Sequence, residues 1–419
     1  MIRKLKSLHK EAVLLSIVAV STVCGFISIP AVAYYAILVL LLLRYLVAGR
    51  IKRVNKSLLI FLFLAFVGIV VMNPPAFFRS YERFGLFVLM MLVVSPLIES
   101  DELLVFRKNT LLYSLYILIV LSTLSLPCYY LGINFMVREN VDYLTNAGGF
   151  GGLFIHSMIL GPMAASSAIM LFSKFIHLPK GTKLIKKQLI LFLLICTIAS
   201  TLISGSRTAV LGLFIVFAML FVKYYGTSSI RLIKYSMFIS IVLIATSSLW
   251  IGMFDRVMSK QKINIELGNG SFSSRESKWN ARFYEIENSP LFGTGFASID
   301  INSGDKYSRK TGKIEPGSSW LYLLSSTGIL GFICFVSFVS KRYYLLYKRI
   351  IISEFHTNLA GISFFYALSM VTEGHIMSGG SYLCFLVWLS FGNSTIPINN
   401  LTAATNIIQN KHTIVLQNQ

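Results

Sequence analysis

Long apolar runs separated by short polar segments fill most of the chain, and one polar stretch, residues 254–319, breaks that pattern. Runs such as AILVLLLL (36–43) and LFLLICTIAS (191–200) do not alternate, which argues against a membrane β-barrel. Apolar stretches of about 17 to 25 residues bounded by Lys and Arg have the length of membrane-crossing helices. In lipid a helix satisfies its own backbone groups, so a helical bundle is the expected answer. The pattern predicts an all-α, polytopic membrane protein of about twelve transmembrane helices. Their expected positions are 11–28, 31–47, 58–72, 85–97, 111–131, a sixth ending near 172, 188–203, 209–223, 235–254, 320–340, 359–371 and 378–389. The chain then divides into helices one to nine (1–253), a large outer loop (254–319), helices ten to twelve (320–393) and a polar tail (394–419).

Charge changes the picture mainly by where it sits. The chain is 55% hydrophobic and 13% charged, with a net charge of +21. Basic residues crowd into every second loop, such as Arg50–Lys56 and the lysines 174, 180, 183, 186 and 187, as the positive-inside rule requires. That placement accounts for the charge without nucleic acid, and it puts both termini in the cytoplasm and 254–319 outside. Long outer loops are exempt from the rule, so the basic residues of 254–319 need another reason, such as an anionic substrate. Cys24, Cys128, Cys196, Cys334 and Cys384 all fall in apolar segments, which leaves no disulfide framework or CxxC metal site in the exported loops. The basic start MIRKLKSLHK, with no convincing cleavage site after it, reads as the head of an uncleaved first helix.

Candidate chemistry lies on the outer side. Arg207, in the turn SGSRT between helices seven and eight, is either an interface anchor or an anion contact. Its small neighbours leave room and backbone N–H groups for phosphate oxygens. In the long loop, Arg275, Trp279 and Arg282 share one face if the segment is helical. Two guanidiniums beside an aromatic ring suit a sugar diphosphate, although an amphipathic surface helix has the same spacing. Gly293 and Gly295 permit close backbone approach to a ligand or simply make a turn. Glu373 and His375, in TEGH between the last two helices, are candidates to orient or deprotonate a hydroxyl. Arg138, in a smaller outer loop, joins the substrate-binding candidates, whereas His156 reads as a packing histidine. The glycine-rich NAGGFGG and the small residues after it predict close helix approach. The chain has no Walker loop, GxGxxG, HExxH or outer-loop DxD pair, so neither a nucleotide cofactor nor a metal is expected.

Three patches in a fixed order carry a resemblance: SGSRTAVLGLF, then SRESKWNARFYEIENSPLFGTGFAS, then GSSWLYLLSSTGILGF. Together they resemble the O-antigen ligase/polymerase superfamily, the Wzy-type polysaccharide polymerases and the lipopolysaccharide O-antigen ligases. Arg282 and Gly293 also fit an R-x10-G spacing found in periplasmic loops of some polymerases. The resemblance implies a metal-independent glycosyltransferase at the periplasmic face of a bacterial inner membrane. Its donor and acceptor would be undecaprenyl-diphosphate-linked oligosaccharides, and a chain-length regulator protein would be a partner. By position, Arg207 and Arg275 match the family's motif arginines, expected on the donor diphosphate. Ligases tend to carry His-Asn where this chain has Gly317-Ser318, which favours polymerase over ligase, keeps Ser318 among the substrate-binding candidates and leaves Glu373 as the substitute base. A flippase of lipid-linked oligosaccharide is the rival from another class. It is disfavoured because transporters tend to place their charges at the bilayer midplane.

Overall fold

The computed structural model describes residues 2–27, 29–47, 51–136, 149–179, 181–226 and 273–395, with side chains omitted for 2–7, 273 and 274. The described part is helical almost throughout. The helices are α1 (Ile2–Ser21), α2 (Ala31–Val47), α3 (Lys56–Met72), α4 (Ser80–Val94), α5 (Asp101–Tyr130) and α6 (Ser157–Ile176). They continue with α7 (Leu184–Ile203), α8 (Arg207–Tyr225), α9 (Ser273–Asn288), α10 (Ser319–Arg349), α11 (Glu354–Ser369) and α12 (Tyr382–Asn393). Among these, α5, α6, α7, α8 and α10 are long and apolar enough to cross a membrane, and α2, α3 and α12 are shorter apolar helices. The expected ninth helix (235–254), Arg138, the start of the long loop and the tail beyond 395 lie outside the described residues.

Polar residues at the helix starts explain where several elements begin. Asn55, Ser100, Ser206, Ser318 and Ser353 each accept a hydrogen bond from a backbone N–H in the first turn of α3, α5, α8, α10 and α11. His156 does the same for α6 through Nδ1, a helix-capping role consistent with its reading as a structural residue. Inside the bundle α6 packs against α5, α7, α8 and α11, while α3 packs along α10. Close approach at α6 depends on Gly161, where a Cβ would come within 2.7 Å of Ser206. The expected small-residue contact is therefore present, against the SGS turn.

Two boundaries differ from the sequence reading in ways that matter. α1 begins at Ile2, so the basic head of the chain is helical backbone rather than a lead-in. α5 begins ten residues earlier than the expected 111, at Asp101, which takes Arg107 out of a loop and buries it completely. Its guanidinium donates to the carbonyl of Val93 (2.8 Å), freed by the end of α4, and to that of Ile98 (3.0 Å), in the short segment before α5. Nearby, Arg53–Val54 and Ile98–Glu99 form a short antiparallel pair, and Lys52 binds Asp101.

The opposite end of the bundle is covered by the stretch 289–318. Phe296 is buried against Phe84 and Phe87, Tyr307 stacks on Phe77 at 5.6 Å, and Arg83 donates to the Thr311 carbonyl. The anchor point is a break in α10 at Gly328 (φ 65°, ψ −177°). Backbone groups released there are taken up by the incoming loop. Thr294 N donates to Ser325 O (2.8 Å), Gly295 N to Ser326 O (3.1 Å), and Ile329 N to Pro290 O (2.8 Å).

Candidate active site

The turn between α11 and α12 is built by Ser319, the first residue of α10. Its Oγ donates to the Glu373 carbonyl (2.5 Å) and accepts from the N–H groups of His375 (2.9 Å) and Ile376 (3.3 Å). Its own N–H is shared between the carbonyls of Met370 and Glu373. Ser318 caps α10 and reaches the Met370 carbonyl at 3.3 Å. Two adjacent serines thus fasten the TEGH turn to the head of α10.

Arg275, on α9, completes the cluster from a third element. It donates to Glu373 Oε1 at 2.6 Å and to the Gly317 carbonyl at 3.1 Å, joining residues 98 positions apart. Burial raises the Glu373 carboxyl above its ordinary range, and Arg275 opposes the rise. A turn of helix further on, Lys278 pairs with Glu315. Gly317 has φ +76°, and a Cβ there would lie 2.8 Å from that of Lys278. A larger residue such as histidine therefore has no place at 317 in this backbone.

Arg207 reaches the same end by another route. It is the first residue of α8, after the Ser206 cap, and Thr208 Oγ1 hydrogen-bonds Thr372 Oγ1 at 2.8 Å. That bond sets the head of α8 against the turn carrying Glu373. Arg207 is exposed and forms no hydrogen bond or ion pair among the described residues.

Arg282 is placed differently from its neighbours. The segment around it is helical, the condition under which it shares a face with Arg275 and Trp279, but its guanidinium is fully buried, 2.6 Å from Asp305 and 3.1 Å from Glu285, over the Tyr322 ring. Glu285 in turn accepts from the Asp300 N–H at 3.0 Å. Burial pushes the Glu285 carboxyl up to about 7 against the pull of Arg282. With two carboxylates already on it and no exposure, Arg282 holds the loop together instead of offering a charge to substrate. Trp279 is half-buried with its indole N–H unpartnered among the described residues.

Gly293 and Gly295 also sit in the loop's foundation. Both have positive φ, and a Cβ at Gly293 would meet the Ser325 carbonyl at 2.5 Å. The R-x10-G spacing is accordingly a folding constraint. Arg282 ties α9 to the loop, and Gly293 lets the loop enter the break in α10.

His375 does not face water. It is buried, its ring stands edge-on to Tyr366 at 6.0 Å, and neither ring nitrogen is partnered among the described residues. Burial lowers its pKa to about 4, so the imidazole is neutral at neutral pH and a weak base. Ser319, Lys278, Glu285, Asp305 and Glu315 are the site residues that the sequence reading passed over. For Ser319 the signal was present in the polar GSSW entry to α10. Which of its serines reaches across is decided by the neighbouring turn. Among the described residues no cluster of three or more His, Cys, Asp or Glu side chains is placed to hold a metal ion.

The bundle and its charged end define a multi-pass membrane protein with arginines and a carboxylate gathered where helices meet a polar cover. Residues 189–336, about a third of the chain, match the family model described as O-antigen ligase, which supports the resemblance to the O-antigen ligase/polymerase superfamily. The match takes in Arg207, Arg275, Arg282 and the start of α10, and it stops before Glu373. No curated protein matches the chain.

Proposed function

We propose that this protein is a polysaccharide polymerase of a bacterial inner membrane, joining undecaprenyl-diphosphate-linked oligosaccharide repeats at the periplasmic face. The observation that carries the reading is the meeting of Arg275 with Glu373, beside an Arg207 that forms no ion pair among the described residues, on elements far apart in sequence. In this reading about twelve helices cross the bilayer, both termini are cytoplasmic and 254–319 covers the periplasmic end.

The acceptor hydroxyl oxygen attacks the anomeric carbon of the donor glycan. The carbon–oxygen bond to the diphosphate breaks, and its electron pair leaves on the lipid diphosphate. Arg207 and Arg275 stabilise that developing charge, and Glu373 takes the hydroxyl proton. A diphosphate leaving group needs no ATP, and two arginines supply the positive charge that a metal would otherwise provide. Trp279 lines the sugar path, with Arg138 as a further substrate contact, while the buried Ser318 holds the head of α10. His375, buried and neutral, packs its ring against Tyr366 and is left without a role in proton transfer.

The ligase reading, with glycan delivered to lipid A-core, is favoured by the description of the matching family model. Against it stands Gly317, where a ligase would carry histidine and where a Cβ meets Lys278. A glycan ladder from a clean deletion strain separates the readings. Core carrying one repeat, with the ladder restored by the gene, supports polymerisation. Long carrier-bound chains absent from core support ligation, and bare core with repeats trapped inside supports transport. In the polymerase case Arg207→Ala at normal protein level abolishes long chains; an unchanged ladder refutes the assigned role.

A further inference from the structure

Charge around Glu373 is nearly balanced before any substrate arrives. Arg275 and Lys278 face it from α9, Glu315 from the segment ahead of α10, and Arg207 stands at the adjoining head of α8. His375, on the same turn, is neutral at neutral pH. Arg275 and Lys278 offset Glu373 and Glu315, while Lys313 faces Glu315 from its own segment and Arg207 adds a positive charge at the adjoining head of α8. A lipid diphosphate ester brings two negative charges. Arg207 has no ion-pair partner among the described residues and can meet it, but Arg275 is already engaged at 2.6 Å by the carboxylate expected to act as base. A guanidinium-bound carboxylate is a poor proton acceptor, because the ion pair favours its charged form.

We infer that Glu373 is a competing anion that the donor displaces: the diphosphate takes Arg275, and the freed carboxylate, now facing added negative charge, becomes the stronger base. The inference rests on reading the site as a donor-diphosphate site, and it adds an order of events. Glycosyl acceptors reach a competent base only after the donor has bound, which protects the ion-paired enzyme from non-productive proton transfer. Phosphate oxygens can win the exchange because they engage Arg275 and Arg207 together with doubly charged, fork-shaped contacts. Ser319 keeps the Glu373 backbone fixed while the side chain changes partner.

The exchange has an unusual signature. A displaced Glu373 holds its proton more tightly, so donor binding takes up a proton and affinity falls as pH rises, by at most about tenfold per pH unit. Turnover moves the other way, since the base must be unprotonated to work. One group therefore weakens binding and speeds chemistry over the same pH range.

The test is calorimetry on the full-length protein in detergent, titrated with a short-chain prenyl diphosphosugar, whose two diester phosphates do not titrate near neutral pH. Repeating the titration in buffers of different ionisation enthalpy counts protons on the unmodified chain, with no dependence on a variant folding. The expected result is proton uptake in the wild type, none in Glu373→Gln, and tighter binding by Glu373→Gln at alkaline pH. Binding that is lost in Arg275→Ala but shows no proton uptake in the wild type overturns this inference alone. Weaker binding by a folded Glu373→Gln overturns it too, because the carboxylate is then not a competitor. Absence of any binding to the wild type overturns the donor-site reading itself.

Discussion

Replacing Arg282 with methionine separates a structural arginine from a substrate-binding one. The side chain is fully buried and contacts Asp305 at 2.6 Å and Glu285 at 3.1 Å. Without it, Glu285 keeps the Asp300 N–H and the Ser325 side chain, and Asp305 keeps the Lys306 N–H, which leaves both buried carboxylates without a cation. Removing one partner of a buried ion pair costs about 3–5 kcal/mol. The remaining acids can escape part of that cost by taking protons, and Glu285 already titrates near 7. The loss is therefore greatest at alkaline pH and shrinks on acidification, by about 1.4 kcal/mol for each unit of further rise in a carboxyl pKa. Thermal unfolding of purified protein, followed by intrinsic fluorescence across a pH series, measures it. Adding Glu285→Gln and Asp305→Asn to Arg282→Met should recover much of the stability, since neutral amides need no cation. A folded Arg282→Met with wild-type unfolding at every pH, deficient only in chain length, would refute the structural assignment.

Other outcomes follow from the same geometry. Gly293→Ala forces a Cβ to 2.5 Å from the Ser325 carbonyl at a positive φ, so it should destabilise the protein by about 3 kcal/mol or more and expose 289–318 to protease. Ser319→Ala removes the hydroxyl bonds that set the 373–376 turn. It should cost about 1–3 kcal/mol and reduce chain extension, with Ser319→Thr retaining more of it than Ala. Glu285 and His375 should give opposite pH slopes. The raised Glu285 binds its proton more tightly folded than unfolded, so its contribution falls as pH climbs from about 4.5 to about 7. The lowered His375 makes stability rise from about 4 to about 6.5. The two nearly cancel in the wild type; Glu285→Gln should leave a rising slope and His375→Gln a falling one in thermal unfolding across that range.

Much of this protein was legible because lipid restricts the choices. Apolar runs of bilayer length had to be helices, and the starts at Ala31 and the ends at Met72 and Ile203 fell where composition changed. Less was legible wherever a polar residue's partner lay elsewhere in the chain. Arg107 looked like one more inner-loop charge, but the ends of α4 and α5 turn it inward to cap free carbonyls. Arg275 and Arg282 share a helix and a spacing, yet one meets the turn after α11 and the end of 289–318, and the other a buried acidic pair, because different parts of that segment fold back on each. Glu373 and His375 are two residues apart and also part company: one is bound by an arginine, the other sealed against Tyr366. Residue types and helical periodicity fixed which side chains were available, since those depend on local chemistry. Their roles were decided by burial and by partners brought together across as many as 98 positions, and the charge state of an acid, arginine or histidine depends on those surroundings.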